Sequence, residues 1–352
     1  MFTIGPGNRD HHVASRVAVG VFVPLMLLLA MHRLDLAIFA SFAAFTGIYG
    51  RGQAHRKRVS IQLRAGSLML FVILLASLFA RAAQAVGLPD SAVTWLRVVA
   101  TTAVAGACAL VSAEWRLRPA GSLFHIFAFA AIASVPHQPP LWECLVVAVL
   151  TAAGGMAIGV SSRVVPGRRG PWTMDPHIWL TADERRIALR DAGGYVVAAG
   201  IAGTVATLVG ASLGFGHNYW AMVAAVVPLV GHTTRHRLSR GIQRIVGTFL
   251  GLFILAGILL LHPTAWQLVI VIAACQFGAE MFIARQYVIA QMFVTPLALT
   301  STLLAAPVAP EHLLRDRIVD TLIGASIGIC VVVVPVVWRR ARRQGTAGVG
   351  AA

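Results

Sequence analysis

Apolar residues fall in twelve runs separated by short polar or Gly- and Pro-containing breaks. They lie at about Ser15–Met31, Leu34–Tyr49, Ala65–Ala80, Val93–Ala113, Ser122–Val135, Leu141–Ser161, Ala192–Ala211, Tyr219–Gly231, Ile242–Leu261, Trp266–Ile283, Val288–Ala305 and Leu314–Val337. A helix that crosses a bilayer needs about 20 mainly apolar residues. The pattern therefore predicts an all-α polytopic membrane protein with about twelve transmembrane helices. Leu34–Tyr49 and Tyr219–Gly231 are short and flanked by polar or Gly-rich sequence, which suits interrupted or partly re-entrant passes buried among other helices. Pro166 to Arg190 is rich in Pro, Gly and charge and reads as a cytoplasmic connector. Within it, Thr181 as cap and Glu184 three residues on predict a short surface helix over LTADERRIA.

Composition supports the pattern: 58% of the 352 residues are hydrophobic and 12% charged, with mean hydropathy +0.78. So few charges cannot cover a soluble surface. The net charge of +16 would suggest nucleic acid in a soluble chain, but here it reports orientation. With the N terminus inside, 24 of the 29 Lys and Arg residues fall on the cytoplasmic face. The other face keeps Arg33, Arg81, Arg97, Arg315 and Arg317. The positive-inside rule then predicts a multi-pass protein of the cell membrane with both termini cytoplasmic and no nucleic-acid partner. Cys108, Cys144, Cys275 and Cys330 stand singly in apolar runs, without metal-ligand spacing or disulfide pattern. The first apolar run ends in MHRLDLAIF without a small-x-small cleavage site, so a removed signal peptide is not expected.

The second half of the chain repeats the first in the same orientation. Arg16 and Gly20 fall on Arg190 and Gly194, Gly47 on Gly231, Arg51 on Arg235 and Arg56 on Arg240. Gln62 and Gly66 fall on Gln243 and Gly247, Glu114 on Glu280, Phe127 on Phe293, and Gly155 and Gly159 on Gly324 and Gly328. Six helices per unit is an even number, so the repeats are expected to be parallel, with a site between them near the midplane. The expected organisation is a first repeat over 1–165, a linker over 166–190, a second repeat over 191–338 and a basic cytoplasmic tail over 339–352.

The segment NYWAMVAAVVPLVGHTTRHRLSRGIQRIVGTFLG, from Asn218 to Gly251, combines an aromatic helix start and a basic turn with Arg240, Arg244, Gly247, Thr248 and Gly251. It resembles the fusaric acid resistance protein-like family, related to bacterial aromatic acid exporters and, more distantly in fold, to the aluminium-activated malate transporters of plants. YVIAQMFVTPLAL (Tyr287 to Leu299) and RIVDTLIGASIG (Arg317 to Gly328) resemble the family's last two helices. The likeness covers roughly Arg185 to Val337 and reaches the first half only through the repeat, where Ala148 and Thr151 stand in place of Arg317 and Asp320. It implies a short, membrane-only member that exports organic, often aromatic, carboxylates.

Candidate residues follow. Arg51, Arg235, Arg240 and Arg244, with Glu114 and Glu280, fit a cationic cytoplasmic vestibule that gathers anions. Arg56, Lys57, Arg58 and Arg237 read as topology and contact with anionic lipid. Glu114 and Glu280 hold equivalent repeat positions, suited to ion pairing with nearby arginines or to proton coupling. His125 and Gln291 also coincide in the repeat, and each can donate a hydrogen bond to a substrate or pack within a helix. Thr295, before Pro296, marks a kink that could line a cavity. Arg317 and Asp320 are spaced to pair on one helix face, either as a functional group or as snorkelling charges near the outer end. The Gly247/Gly251 and Gly324/Gly328 spacings read as close helix packing.

No nucleophile elbow, zinc-binding or phosphate-loop motif occurs, so an enzyme, a cofactor and intrinsic ATP use are not expected. The leading expectation is a secondary exporter whose partners are a small organic anion and membrane lipid, with self-association left open. A passive anion channel and a non-transporting membrane scaffold are the alternatives.

Overall fold

The computed structural model describes every residue except 1–4, 6–9, 165–171, 173–177, 215–218, 232, 306–309 and 350–352. Residues 166–171 and 173–177 of the proposed linker, with Arg168 and Arg169, lie outside the described residues, as does Arg9. Among the described residues the chain is all-helical, without strands. The helices are α1 (Asp10–Ala30), α2 (Ala37–Ala44), α3 (His55–Val86), α4 (Asp90–Glu114), α5 (Leu123–Ile132), α6 (Leu141–Ser161), α7 (Ala182–Leu213), α8 (Tyr219–Val226), α9 (Thr234–Leu260), α10 (Ala265–Phe282), α11 (Tyr287–Ala305) and α12 (Pro310–Val349). Single 3₁₀ turns extend α2 at both ends and α8 at its C terminus.

Among the described residues nine of these helices are long and apolar enough to cross a membrane. α2, α5 and α8 are not: α2 and α8 lie in the two runs expected to be interrupted, while α5 is shorter than the run Ser122–Val135 led one to expect. An eight-residue helix rises only about 12 Å, against a hydrocarbon core of about 30 Å. The break in α8 has a local cause, because Pro228 cannot donate to the helix ladder and Gly231 follows. Around α2 the chain passes between two separate polar clusters. Arg33, before α2, meets Glu143 at the start of α6, whereas Arg51, after α2, meets Asp10 at the start of α1. All eight residues of α8 and seven of the ten in α5 are buried. Short, interrupted backbone is tolerated at this depth because long helices surround it and satisfy its surroundings.

Helix ends have identifiable caps. Thr181 and Glu184 form a reciprocal capping box, as the sequence predicts, but the helix they start runs on without a break as the 32 residues of α7. It is therefore the first turns of a long helix, not a separate surface helix. Thr233 accepts from the His236 amide to start α9, and Gly87 and Gly214, both left-handed, end α3 and α7.

The packing has a repeated order. α1 packs on α10 and α4 on α7; α2 on α6 and α8 on α12; α3 on α5 and α9 on α11; α4 on α5 and α10 on α11; α5 on α8 and α11 on α2. Glycines set the closest of these approaches. A Cβ at Gly324 or Gly328 would collide with the carbonyl oxygens of Ala221 and Ala225, so α12 lies directly against α8.

Polar contacts collect at two opposite ends. At one, Arg51 bridges Asp10 and Glu280, Arg116 pairs with Glu184, and Arg185 with Glu114. At the other, Arg33 pairs with Asp35 and Glu143, and Arg81 and Gln84 bond the loop between α5 and α6. Asp35, then Glu143, hold the Arg33 guanidinium above its ordinary range by hydrogen bonding.

Candidate functional site

α2, α5 and α8 meet in the interior around a cavity of about 270 Å³, whose wall is drawn from both halves of the chain. Part of its apolar wall is aromatic, because these short helices carry ring side chains. Phe42 and Phe45 come from α2 and the turn that extends it, Phe124 and Phe127 from α5, and Trp220 from α8. The rings are in contact. Phe42 meets Phe127 edge-on at 4.9 Å between centroids, Phe45 lies 5.1 Å from Phe124, and Phe127 lies 4.8 Å from Trp220. Offset and edge-to-face pairs of this kind favour a further flat ring beside them.

Four arginines line the same space: Arg118, which is exposed, and Arg51, Arg244 and Arg317. Arg317 of α12 is 1% exposed, and its guanidinium stacks 3.9 Å from the Trp220 ring centroid. Its Nε and Nη1 have no hydrogen-bond partner. Arg244 of α9, 3% exposed, donates from Nη1 to Gln291 Oε1 at 2.8 Å, and its Nε is unpartnered. Among the described residues, neither arginine forms an ion pair. Arg51 differs: it contacts Asp10 Oδ1 at 2.6 Å and Glu280 Oε2 at 3.0 Å, and also donates to the Glu280 carbonyl at 2.9 Å. It follows α2, whereas Glu280 ends α10, so this network ties the two halves together at one end of the cavity.

A buried charge without a counter-charge is costly. The cavity thus offers two cations whose free donors suit an anionic acceptor, beside rings that suit an apolar body. A flat carboxylate matches a guanidinium fork in two places.

Of the residues singled out in the sequence, Arg51, Arg244, Glu280 and Arg317 line the cavity. Gln291 and Thr295 are buried but do not line it; Gln291 contacts Arg244, and Thr295 contacts Gln291. His125 is fully buried on α5, outside the lining, with neither ring nitrogen hydrogen-bonded. His125 and Gln291 are thus not brought to a common site. Nor does Arg317 snorkel outward, and Oδ2 of Asp320 has no partner, so the expected pair is not made through that atom. Arg240 stacks 4.7 Å from the Tyr287 ring, Arg235 is exposed at the start of α9, and Glu114 pairs with Arg185 at 2.8 Å. The aromatic wall and Asp10 were missed in the sequence. The three-residue spacing of Phe42 with Phe45 and Phe124 with Phe127 is the signal that was there to find.

Residues 204–331 match the family described as fusaric acid resistance protein-like. A curated relative from Bacillus subtilis (strain 168), "Uncharacterized membrane protein YvaC", is 31% identical over 142 residues, 40% of this chain; the chain covers 22% of that relative. No solved structure matches the chain. The matched segment runs from within α7 into α12 and supplies Trp220, Arg244 and Arg317.

Proposed function

We propose that this fusaric acid resistance protein-like membrane protein exports organic anions, aromatic carboxylates foremost, through the cavity between two parallel six-helix repeats. The observation that carries the reading is the pair of buried guanidinium groups, Arg244 and Arg317, which line a cavity with aromatic rings in its wall and, among the described residues, form no ion pair. The order of packing supports the repeats. Exchanging α1–α6 for α7–α12 turns each pairing named above into another of them. The three short helices then count as crossings, and the charge split supports a cell-membrane orientation with both termini cytoplasmic.

At an inside-negative potential a monovalent anion gains about 2.3 kcal/mol per 100 mV on leaving, roughly a 50-fold gradient. The potential alone can therefore drive efflux without a proton gradient. The Arg51 network favours a carrier over an open channel, because an ion pair that joins the halves at one end of the cavity suits alternating access. A scaffold would have no use for unbalanced buried cations around an internal space.

The test is uptake of labelled benzoate into inverted membrane vesicles. Uptake is expected to rise with a lumen-positive potential, to survive collapse of the pH gradient, and to be lost in an Arg244→Gln, Arg317→Gln variant present at normal levels. Uptake by that variant equal to the wild type, or wild-type uptake no greater than in control vesicles, overturns the proposal.

A further inference from the structure

α9 and α11 approach so closely that a Cβ at Gly247 would lie 2.6 Å from the Gln291 Cβ, and one at Gly251 2.7 Å from the Thr295 Cβ. This approach sets Arg244, one turn before Gly247, against Gln291, one turn before Thr295. The amide of Gln291 is fixed on all sides. Its Nε2 donates to Thr248 Oγ1 at 3.3 Å and to Thr295 Oγ1 at 3.1 Å, and Thr295 donates in turn to the Gln291 carbonyl at 3.1 Å. Its Oε1 is thereby left to accept from Arg244 at 2.8 Å and from Tyr287 Oη at 3.4 Å.

A carboxylate at this position would bond Arg244 more strongly, but it would also neutralise it. The chain uses carboxylates on Arg51, which is held by Asp10 and Glu280. On Arg244 it uses a neutral amide. We infer that Gln291 is a positioning residue that orients Arg244 toward the cavity while leaving its charge unbalanced, and so makes the site select ionised carboxylates over neutral analogues. This rests on the reading that the cavity binds organic anions.

The decisive variant is Gln291→Glu. The hydroxyls of Thr248 and Tyr287 can both donate to a carboxylate, so helix packing is retained. The measurement is equilibrium binding of labelled benzoate to the full chain in lipid nanodiscs, with benzamide as the neutral competitor. Wild type is expected to prefer benzoate by about tenfold or more, as loss of a charged partner implies. Gln291→Glu is expected to weaken benzoate about tenfold and to erase most of that preference, with a melting temperature equal to or above wild type. A purely structural Gln291 predicts wild-type binding in the Glu variant, and that result overturns the inference. Should the Glu variant not fold, Gln291→Leu decides. It removes the acceptor but keeps the Arg244 charge, so weaker benzoate binding with preference over benzamide intact is expected, and unchanged affinity overturns the inference. If wild type itself binds no benzoate, the anion reading fails and the inference falls with it; if only the variants behave as wild type, the inference alone fails.

Discussion

Replacing Arg317 separates charge from geometry in the cavity. Its Nε and Nη1 are buried and unpartnered, so a bound carboxylate can take a parallel pair of donors, Nη2 with Nε on one edge of the guanidinium or Nη2 with Nη1 on the other. Each charge-assisted hydrogen bond contributes about 1.5–3 kcal/mol, and two give a gross gain of about 3–6 kcal/mol. Part is offset by stripping water from the carboxylate, leaving a net effect of about 2–4 kcal/mol, or roughly 30- to 1,000-fold in Kd. Arg317→Gln is expected to lose that full amount. Arg317→Lys keeps a positive charge but loses both the planar fork and the stack on Trp220, 3.9 Å away. It is expected to fall between, about tenfold weaker than wild type. Binding of labelled benzoate to purified protein in nanodiscs reads the series, with size-exclusion profile and helical circular dichroism as folding controls. If Arg317→Gln folds and binds benzoate as tightly as wild type, the assignment of Arg317 to the anion is wrong. If Lys and Gln behave alike, the bidentate geometry rather than the charge carries the interaction.

Other consequences follow from the packing and the ion pairs. Gly324→Val places atoms where the Ala221 carbonyl already lies, so overpacking of about 1–3 kcal/mol or more should lower the melting temperature; a wild-type melt would mean that α8 and α12 separate more easily than their contact implies. Arg51→Ala removes the ion-pair partner of the buried Glu280, costing on the order of 3 kcal/mol, and adding Glu280→Gln should recover most of the loss. A double variant no more stable than Arg51→Ala counts against the bridge. A reporter fused after Arg343 should read cytoplasmic, while Ser91→Cys in a cysteine-free background, in the exposed start of α4, should react with an impermeant maleimide from outside. Labelling only from the cytoplasmic side would reverse the orientation.

The helices were more legible than the faces they present. The sixth apolar run, Leu141–Ser161, coincides with α6 residue for residue, and the short run Tyr219–Gly231 with its polar or Gly-rich flanks announced the short α8. The start of α7 was hidden because its first turns, DERRIALRD, are charged and fall outside any hydrophobic window, even though the Thr181–Glu184 capping box was readable. Within the site, Arg317 stood out because a charge inside an apolar run is costly, and Arg244 because it belongs to the basic start of a span. The aromatic wall did not. α2, α5 and α8 are apolar all round, so periodicity cannot say which side of each helix faces a cavity. Phe42, Phe124 and Trp220 are also far apart in sequence and meet only through tertiary packing. Repeat equivalence suggested that His125 and Gln291 share a site. Gln291 instead finds its partners in Thr248, Thr295 and Arg244, contacts that depend on the glycine-mediated approach of α9 and α11 and have no counterpart around His125.

The most direct test of the cavity as an anion site is a crystal structure with 4-bromobenzoate, locating the bromine by its anomalous signal. The expected peak lies among Phe45, Phe124 and Phe127, with the carboxylate on Arg317 or Arg244, and it is absent with 4-bromobenzamide at the same concentration. Bromine found only outside the cavity, or equally strong in it for the neutral amide, would contradict an anion site built on those two arginines.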